Sequence, residues 1–139
     1  MPFHYVEPEV AGELGPNSIV DASVHPPLVS HLEYRFTDWL GDDIVETFPC
    51  FIVTEKLATH LAGTDLTGIT LADVEVTLSP EAHELLTEEL PAWKWLQITG
   101  IAFLNDFGVS DDQRLVVSDN ALAALRNGSL DNVDLETAE

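Results

Sequence analysis

One short pattern occurs twice, and it constrains the fold more than any other feature. Ile52-Val53-Thr54-Glu55 and Val116-Val117-Ser118-Asp119 each set a hydroxyl and then an acid directly after an apolar, β-branched run. Such a run suits a pleated, half-buried strand. The hydroxyl that ends it can accept the first free N–H groups of a helix, and the acid complements the positive end of the helix dipole. Leu61 and Leu125 fall at the same place in the two copies. In the first copy Leu57, Ala58 and Leu61 form one apolar stripe, and Gly63 stops the helix near Ala62. An alternating acidic segment follows each helix: Asp73-Val-Glu-Val76 in one, Asn132-Val-Asp-Leu135 in the other. Each unit therefore reads strand, cap, short helix, strand. The shared identity is short, which favours ordinary packing of both units on one sheet over duplication.

Around these units the chain divides into recognisable pieces. The first third is punctuated by Pro8, Gly12, Gly15, Pro16, Pro26 and Pro27, so residues 1–30 form an irregular segment with no long helix. Within it, Phe3–Val6 is a strand candidate and Asn17–Val24 an extended or turn segment. His31–Phe36 alternates, with Leu32, Tyr34 and Phe36 on one face and His31, Glu33 and Arg35 on the other. Phe48–Val53 is a short apolar run expected to form a buried strand. Ala72–Leu78 alternates, with Val74, Val76 and Leu78 together. Ser79-Pro80 starts a helix expected to reach about Glu89, before Pro91. Trp93–Thr99 is the next strand, and Gly100–Gln113 reads as a loop. At 139 residues the chain is one domain, residues 1–139. The fold class is α+β, or α/β, with a mixed β-sheet and about three short helices.

Charge decides which partners are open to it. Twenty-five acids face five bases, for a formal net charge of −20. Phosphate contacts need clustered Lys and Arg, so nucleic-acid binding is excluded, and so is attachment to an anionic membrane. No apolar run is long enough to span a bilayer. The N-terminus lacks the pattern of a secretory signal, and the expected location is cytoplasmic. The acidity has three readings: solubility in a salty or acidic host, complementarity to a basic partner, or retention of a cation.

The segment from Trp39 to Glu46 gathers an aromatic, a turn glycine and the carboxylates of Asp42, Asp43 and Glu46. It is the candidate contact surface for a basic protein, with Asp106 as a further member. The competing readings are a hard-cation or enzymatic loop built on Asp42 and Asp43, and a plain turn in which one of them caps a helix. Asp106-Phe107-Gly108 spells the magnesium triplet of protein kinases. With no glycine-rich loop or catalytic loop beside it, it reads as a turn with Phe107 packed inward. The five histidines are scattered and lack zinc-ligand spacing. Cys50 sits in an apolar run and reads as buried and inert. Trp93 and Trp95 share a strand face, as a core ledge or a partner anchor. No catalytic set, metal-ligand set or cofactor motif is read from the sequence.

The strings Val53-Thr54-Glu55, Leu66-Thr67-Gly68, Thr99-Gly100 and Asp106-Phe107-Gly108 resemble those of small uncharacterised bacterial proteins. More loosely, the chain resembles immunity-type proteins of polymorphic toxin systems. The likeness runs over roughly residues 31–126. It implies a non-catalytic protein without a cofactor that binds and neutralises a basic, toxin-like protein. Two further readings stay open: a DNA mimic that blocks a nucleic-acid-binding protein, and a salt-adapted domain whose charge names no partner.

Overall fold

Both copies of the strand–cap–helix unit form, and each belongs to a sheet of its own. The computed structural model describes residues 2–86 and 90–138. Its strands are β1 (Phe3–Glu7), β2 (Gly12–Leu14), β3 (Ile19–Asp21), β4 (Leu28–His31), β5 (Glu33–Phe36), β6 (Ile44–Thr47), β7 (Cys50–Thr54), β8 (Ile69–Ala72), β9 (Glu75–Leu78), β10 (Trp93–Ile98), β11 (Phe107–Val109), β12 (Leu115–Ser118) and β13 (Asp134–Ala138). Three short helices accompany them: α1 (Glu55–Ala62), α2 (Pro80–Leu85) and α3 (Asp119–Leu125). The result is a single small α+β domain.

The two larger sheets are built to one plan. Their strand orders are β6-β7-β10-β8 and β11-β12-β1-β13. In each, the second strand of a hairpin leads into a helix and also pairs with a strand from the other half of the chain. The registers agree: Trp93 lies opposite Thr54 and Phe3 opposite Ser118. On the next ladder Trp95 faces Ala72, and Tyr5 faces Glu136. The chain is thus two repeats, β1-β6-β7-α1-β8 and β10-β11-β12-α3-β13, that have exchanged their first strands. The expectation that both units pack on one sheet is corrected. The inserted strands β2, β5 and β9 form a third sheet, in which β5 and β9 run parallel, and β3 and β4 pair alone.

Packing follows from this arrangement. α1 and α3 place Leu57, Leu61, Leu122 and Leu125 in one core with Val6, Val53, Leu96, Phe107 and Val117. Truncating any one of these leucines to alanine is worth about 2–5 kcal/mol. A second core holds Tyr34, Phe36, Ile52, Trp93 and Trp95, which makes the tryptophan pair a core ledge. β7 feeds both cores, so it is apolar on both faces and reads as an unbroken run. The caps form as expected. Thr54 Oγ1 accepts the Leu57 N–H at 3.3 Å, Ser118 Oγ that of Ala121 at 3.1 Å, and Ser79 Oγ that of Ala82 at 3.1 Å.

Other expectations change at the element level. The His31–Phe36 strand breaks at Leu32, and Glu33 is buried. Its carboxylate is matched by the Asn17 N–H and the Thr77 hydroxyl, both at 2.7 Å, which offsets the cost of burying it. Ala72–Leu78 is two strands in two sheets, although Val74, Val76 and Leu78 do pack together against the second core. Phe48-Pro49 is the exposed turn of the β6–β7 hairpin, so the buried strand starts at Cys50. The expected loop Gly100–Gln113 contains β11. Residues 1–30 carry three strands and most of a fourth, and one of them, β1, is central to its sheet. α2 ends at Leu85; the expected extension toward Glu89 falls on residues 87–89, outside the described residues.

Candidate functional site

The acids singled out in the sequence divide sharply once placed. Asp43 and Asp106 each lie just before the first strand of a repeat's hairpin, and they do the same structural job. Asp43 Oδ1 accepts the Thr54 hydroxyl at 2.6 Å, and Asp106 Oδ1 accepts the Ser118 hydroxyl at 2.7 Å. Their backbone carbonyls accept the N–H of the same two cap residues at 2.9 and 2.8 Å. Each second oxygen then reaches the loop after the other repeat's helix. Asp43 Oδ2 accepts the Ser129 N–H at 2.6 Å, and Asp106 Oδ2 the Thr67 N–H at 2.9 Å. Burial works against the charge of Asp106, but the bonds from Ser118 and Thr67 outweigh it and hold its carboxyl below the usual range. Both aspartates are staples between repeats.

The same node accounts for the short strings that stand out in the sequence. Gly68, at φ +95°, lies so close to Gly100 that a Cβ on Gly100 would come within 2.7 Å of the Gly68 Cα. Thr67 holds Asp106, and the Phe107 N–H donates to the Thr67 carbonyl at 3.1 Å. Leu66-Thr67-Gly68, Thr99-Gly100 and Asp106-Phe107-Gly108 therefore converge on one junction. Phe107 is fully buried, as the turn reading of that triplet expects, though it begins a strand.

Asp42 is fully buried. Its carboxylate accepts the Asn132 N–H at 2.9 Å and the Asn132 side-chain amide at 3.1 Å, and the Ser129 hydroxyl stands at 3.5 Å. It offers nothing to a partner's surface, so its place in the expected contact set is corrected. The idea that Asp42 or Asp43 caps a helix is corrected too, because β6 follows them. The cation-loop reading loses its donors, since both carboxylates are turned to N–H and O–H groups of the chain. Among the described residues no group of three acid, histidine or cysteine side chains is placed to hold a metal ion. Trp39 is half-buried. Its indole N–H donates to the Asp42 carbonyl at 2.8 Å, and its ring stands edge-on to Trp93 at 5.7 Å.

Glu46 behaves differently. It lies on edge strand β6, and no donor among the described residues reaches its carboxylate. Burial, with the charge of Glu7 added, pushes its carboxyl up to about 7. Glu9 is beside it in the fold: its carbonyl accepts the Glu46 N–H at 3.0 Å. Burial also raises Glu9, and the charges of Asp42 and Asp38 add to this, while the Leu40 N–H works the other way. Val10 and Leu40 are exposed on the same stretch. This face combines crowded carboxylates with apolar side chains. Three of the bases are tied up or close to acids elsewhere: Lys94 pairs with Asp73 at 2.8 Å, Arg114 with Asp112 at 2.8 Å, and the charge of Arg35 acts on Glu81.

Sequence reasoning missed Glu7, Glu9 and Asp38 as members of this face. Glu7 and Glu9 come from the irregular first segment and Asp38 from the loop after β5, and long-range contacts such as the bridge between Glu9 and Val45 bring that segment to β6. Three of the histidines carry ring hydrogen bonds, His4 to Asp119 at 2.6 Å, His31 to Glu75 at 3.1 Å and His60 to Asn127 at 2.9 Å. Cys50 is buried, and burial pushes its thiol up to about 12. No helix among the described residues is long and apolar enough to cross a membrane. Comparison with protein-family models, with curated proteins and with solved structures returns no match.

Proposed function

We propose that this chain is an acidic, non-catalytic binding protein of the cytoplasm that neutralises a basic protein partner, as immunity-type proteins do. The observation that carries this reading is the face around Glu9. There Glu9 lies near Asp38 and Glu46 near Glu7, beside exposed Val10 and Leu40; burial raises the carboxyls of Glu9 and Glu46, and the neighbouring like charges add to it. A partner's Lys or Arg would relieve that repulsion, and its apolar neighbours would cover Val10 and Leu40. Trp39 and Glu46 stay in this contact set. Asp42 leaves it for the interior, and the half-buried Asp43 and Asp106 leave it because both oxygens of each are engaged within the chain. The net charge of −20 would speed the encounter with a basic surface.

The test is affinity for the basic product of a neighbouring gene, measured from low to high salt. Glu9→Gln with Asp38→Asn should slow association and flatten its salt dependence, because charges at the rim of an interface act mainly on the on-rate. Binding that ignores both ionic strength and this double variant would remove the proposed face.

A further inference from the structure

A cleft opens on the inner side of Glu46. One wall is Pro26–Val29, leading into β4; another is the Phe48-Pro49 turn; Phe51 on β7 and Trp95 on β10 also line it. Its volume is about 420 Å³, within the range of small-molecule sites. The walls are largely apolar and aromatic. Gln97, Thr99 and Gln113 add neutral hydrogen-bonding groups, and Glu46 is the one carboxylate in the lining. We propose that this cleft binds a small organic cation: an apolar or aromatic body bearing one protonated amine or guanidinium, set against the Glu46 carboxylate.

Three observations support that class of ligand. A part-buried carboxylate without a donor is costly, and a cation is the group that offsets it most fully. Phe48, exposed at the β6–β7 turn, supplies a ring face that attracts a cation and covers an apolar body, while Phe51 and Trp95 are almost wholly buried and only border the cleft. An anion would meet Glu46 and the field of the whole chain as repulsion. Volume separates a free molecule from a partner's side chain, since one lysine or arginine would leave much of the cleft unfilled. The inference shares Glu46 with the partner reading but is tested apart from it, because that reading is tested on Glu9 and Asp38.

Binding of this kind needs Glu46 ionised, so it should strengthen as pH rises through about 7. The groups facing Glu46 are Glu7 from β1, the Glu9 carbonyl, the Tyr34 hydroxyl donating to the Glu46 carbonyl at 2.9 Å, and Cys50 from β7. Burial pushes both Tyr34 and Cys50 upward, well clear of neutral pH. His25, whose ring centroid lies 6.4 Å from that of Phe48, is the histidine beside the cleft.

The experiment is calorimetric titration of the full chain with 3-phenylpropylamine and with its neutral counterpart 3-phenylpropan-1-ol, at pH 8.5 and 5.5. The amine should saturate and bind at least tenfold tighter than the alcohol at pH 8.5. That preference should vanish at pH 5.5, and at pH 8.5 in Glu46→Gln, a near-isosteric change that keeps the fold. His25→Asn should retain the pH dependence, and Glu9→Gln with Asp38→Asn should retain the preference. The proposal is overturned by an amine that does not saturate, by an alcohol that binds equally well, or by a preference that survives Glu46→Gln. A trilysine peptide that displaces the amine and binds as tightly would overturn the free-molecule assignment and give the cleft to a partner's side chain.

Discussion

Replacing Glu46 with glutamine should make the protein more stable at alkaline pH and leave it unchanged in acid. The carboxyl is pushed from an ordinary 4.5 to about 7 in the fold, chiefly by burial. Below pH 4.5 it is protonated in both folded and unfolded chains, so it contributes nothing to the difference. Between 4.5 and about 7 the unfolded chain has released this proton while the folded chain keeps it. Stability therefore falls as pH rises through that window, and levels off above it. For a fully buried group the gap would be worth about 3 kcal/mol, at 1.36 kcal/mol per pH unit. Solvent reaches part of this side chain, and screening leaves roughly half, about 1.5 kcal/mol. Urea unfolding of both proteins at a series of pH values from 4 to 8.5 measures the difference. The variant should match the parent at pH 4 and exceed it by about 1.5 kcal/mol at pH 8, or about 5 °C in Tm for a chain of this length. Taking the difference between two chains of nearly equal charge removes the general self-repulsion of so acidic a protein. A pH-independent difference, or a variant less stable at pH 8, would refute the claim that this acid is held without a partner.

Three further outcomes test the fold. Asp42→Ala removes the buried carboxylate that ties the Asn132 loop to the start of β6, and leaves the Asn132 N–H and amide to water, so it should cost about 1–2 kcal/mol by urea unfolding, where an unpartnered surface acid would cost under about 0.5. Thr54→Ala and Ser118→Ala each remove a helix cap and free one arm of a staple, and each should lower stability by about 1–2 kcal/mol in thermal melts. Their costs should be similar, because the two nodes are built alike. Asp106 is held below its ordinary 3.8, so its contribution should persist down to that pH and be lost as pH falls further. Ser118→Ala should then lose the staple's share of its deficit in strong acid and keep the cap's share, which acid-limb melts against the parent would show.

The elements that could be read in advance are those whose signal is local. Thr54-Glu55, Ser118-Asp119 and Ser79-Pro80 place their caps within three residues of the N–H groups they satisfy. The β7 run and the Val74-Val76-Leu78 alternation report burial directly. What stayed hidden depends on long-range exchange. β1 could be recognised as a strand, but its neighbours β12 and β13 lie more than 100 residues away in sequence. Nothing in Phe3–Glu7 names them. Alternation sets Glu33 on the face opposite Tyr34, but it cannot anticipate that Asn17 and Thr77 converge on it.

The acids show why composition misleads in a chain like this. With so many carboxylates, a cluster such as Trp39–Glu46 invites a single functional reading, yet its members have opposite fates. Asp42 and Asp43 sit where two exchanged repeats meet, and there a carboxylate is the one side chain that can gather a hydroxyl and a loop N–H at once. Asp106 meets the same demand in the other repeat. The signal for this was in the sequence: an Asp leads the hairpin in each copy, before Ile44 and before Phe107, ahead of its cap hydroxyl. It becomes readable only when the repeat is traced back past the strand to the hairpin that precedes it. Once those acids are assigned to structure, the carboxylates left without donors become informative. Glu46 then stands out for a physical reason: it is the acid whose charge the fold raises in cost and leaves for something else to match.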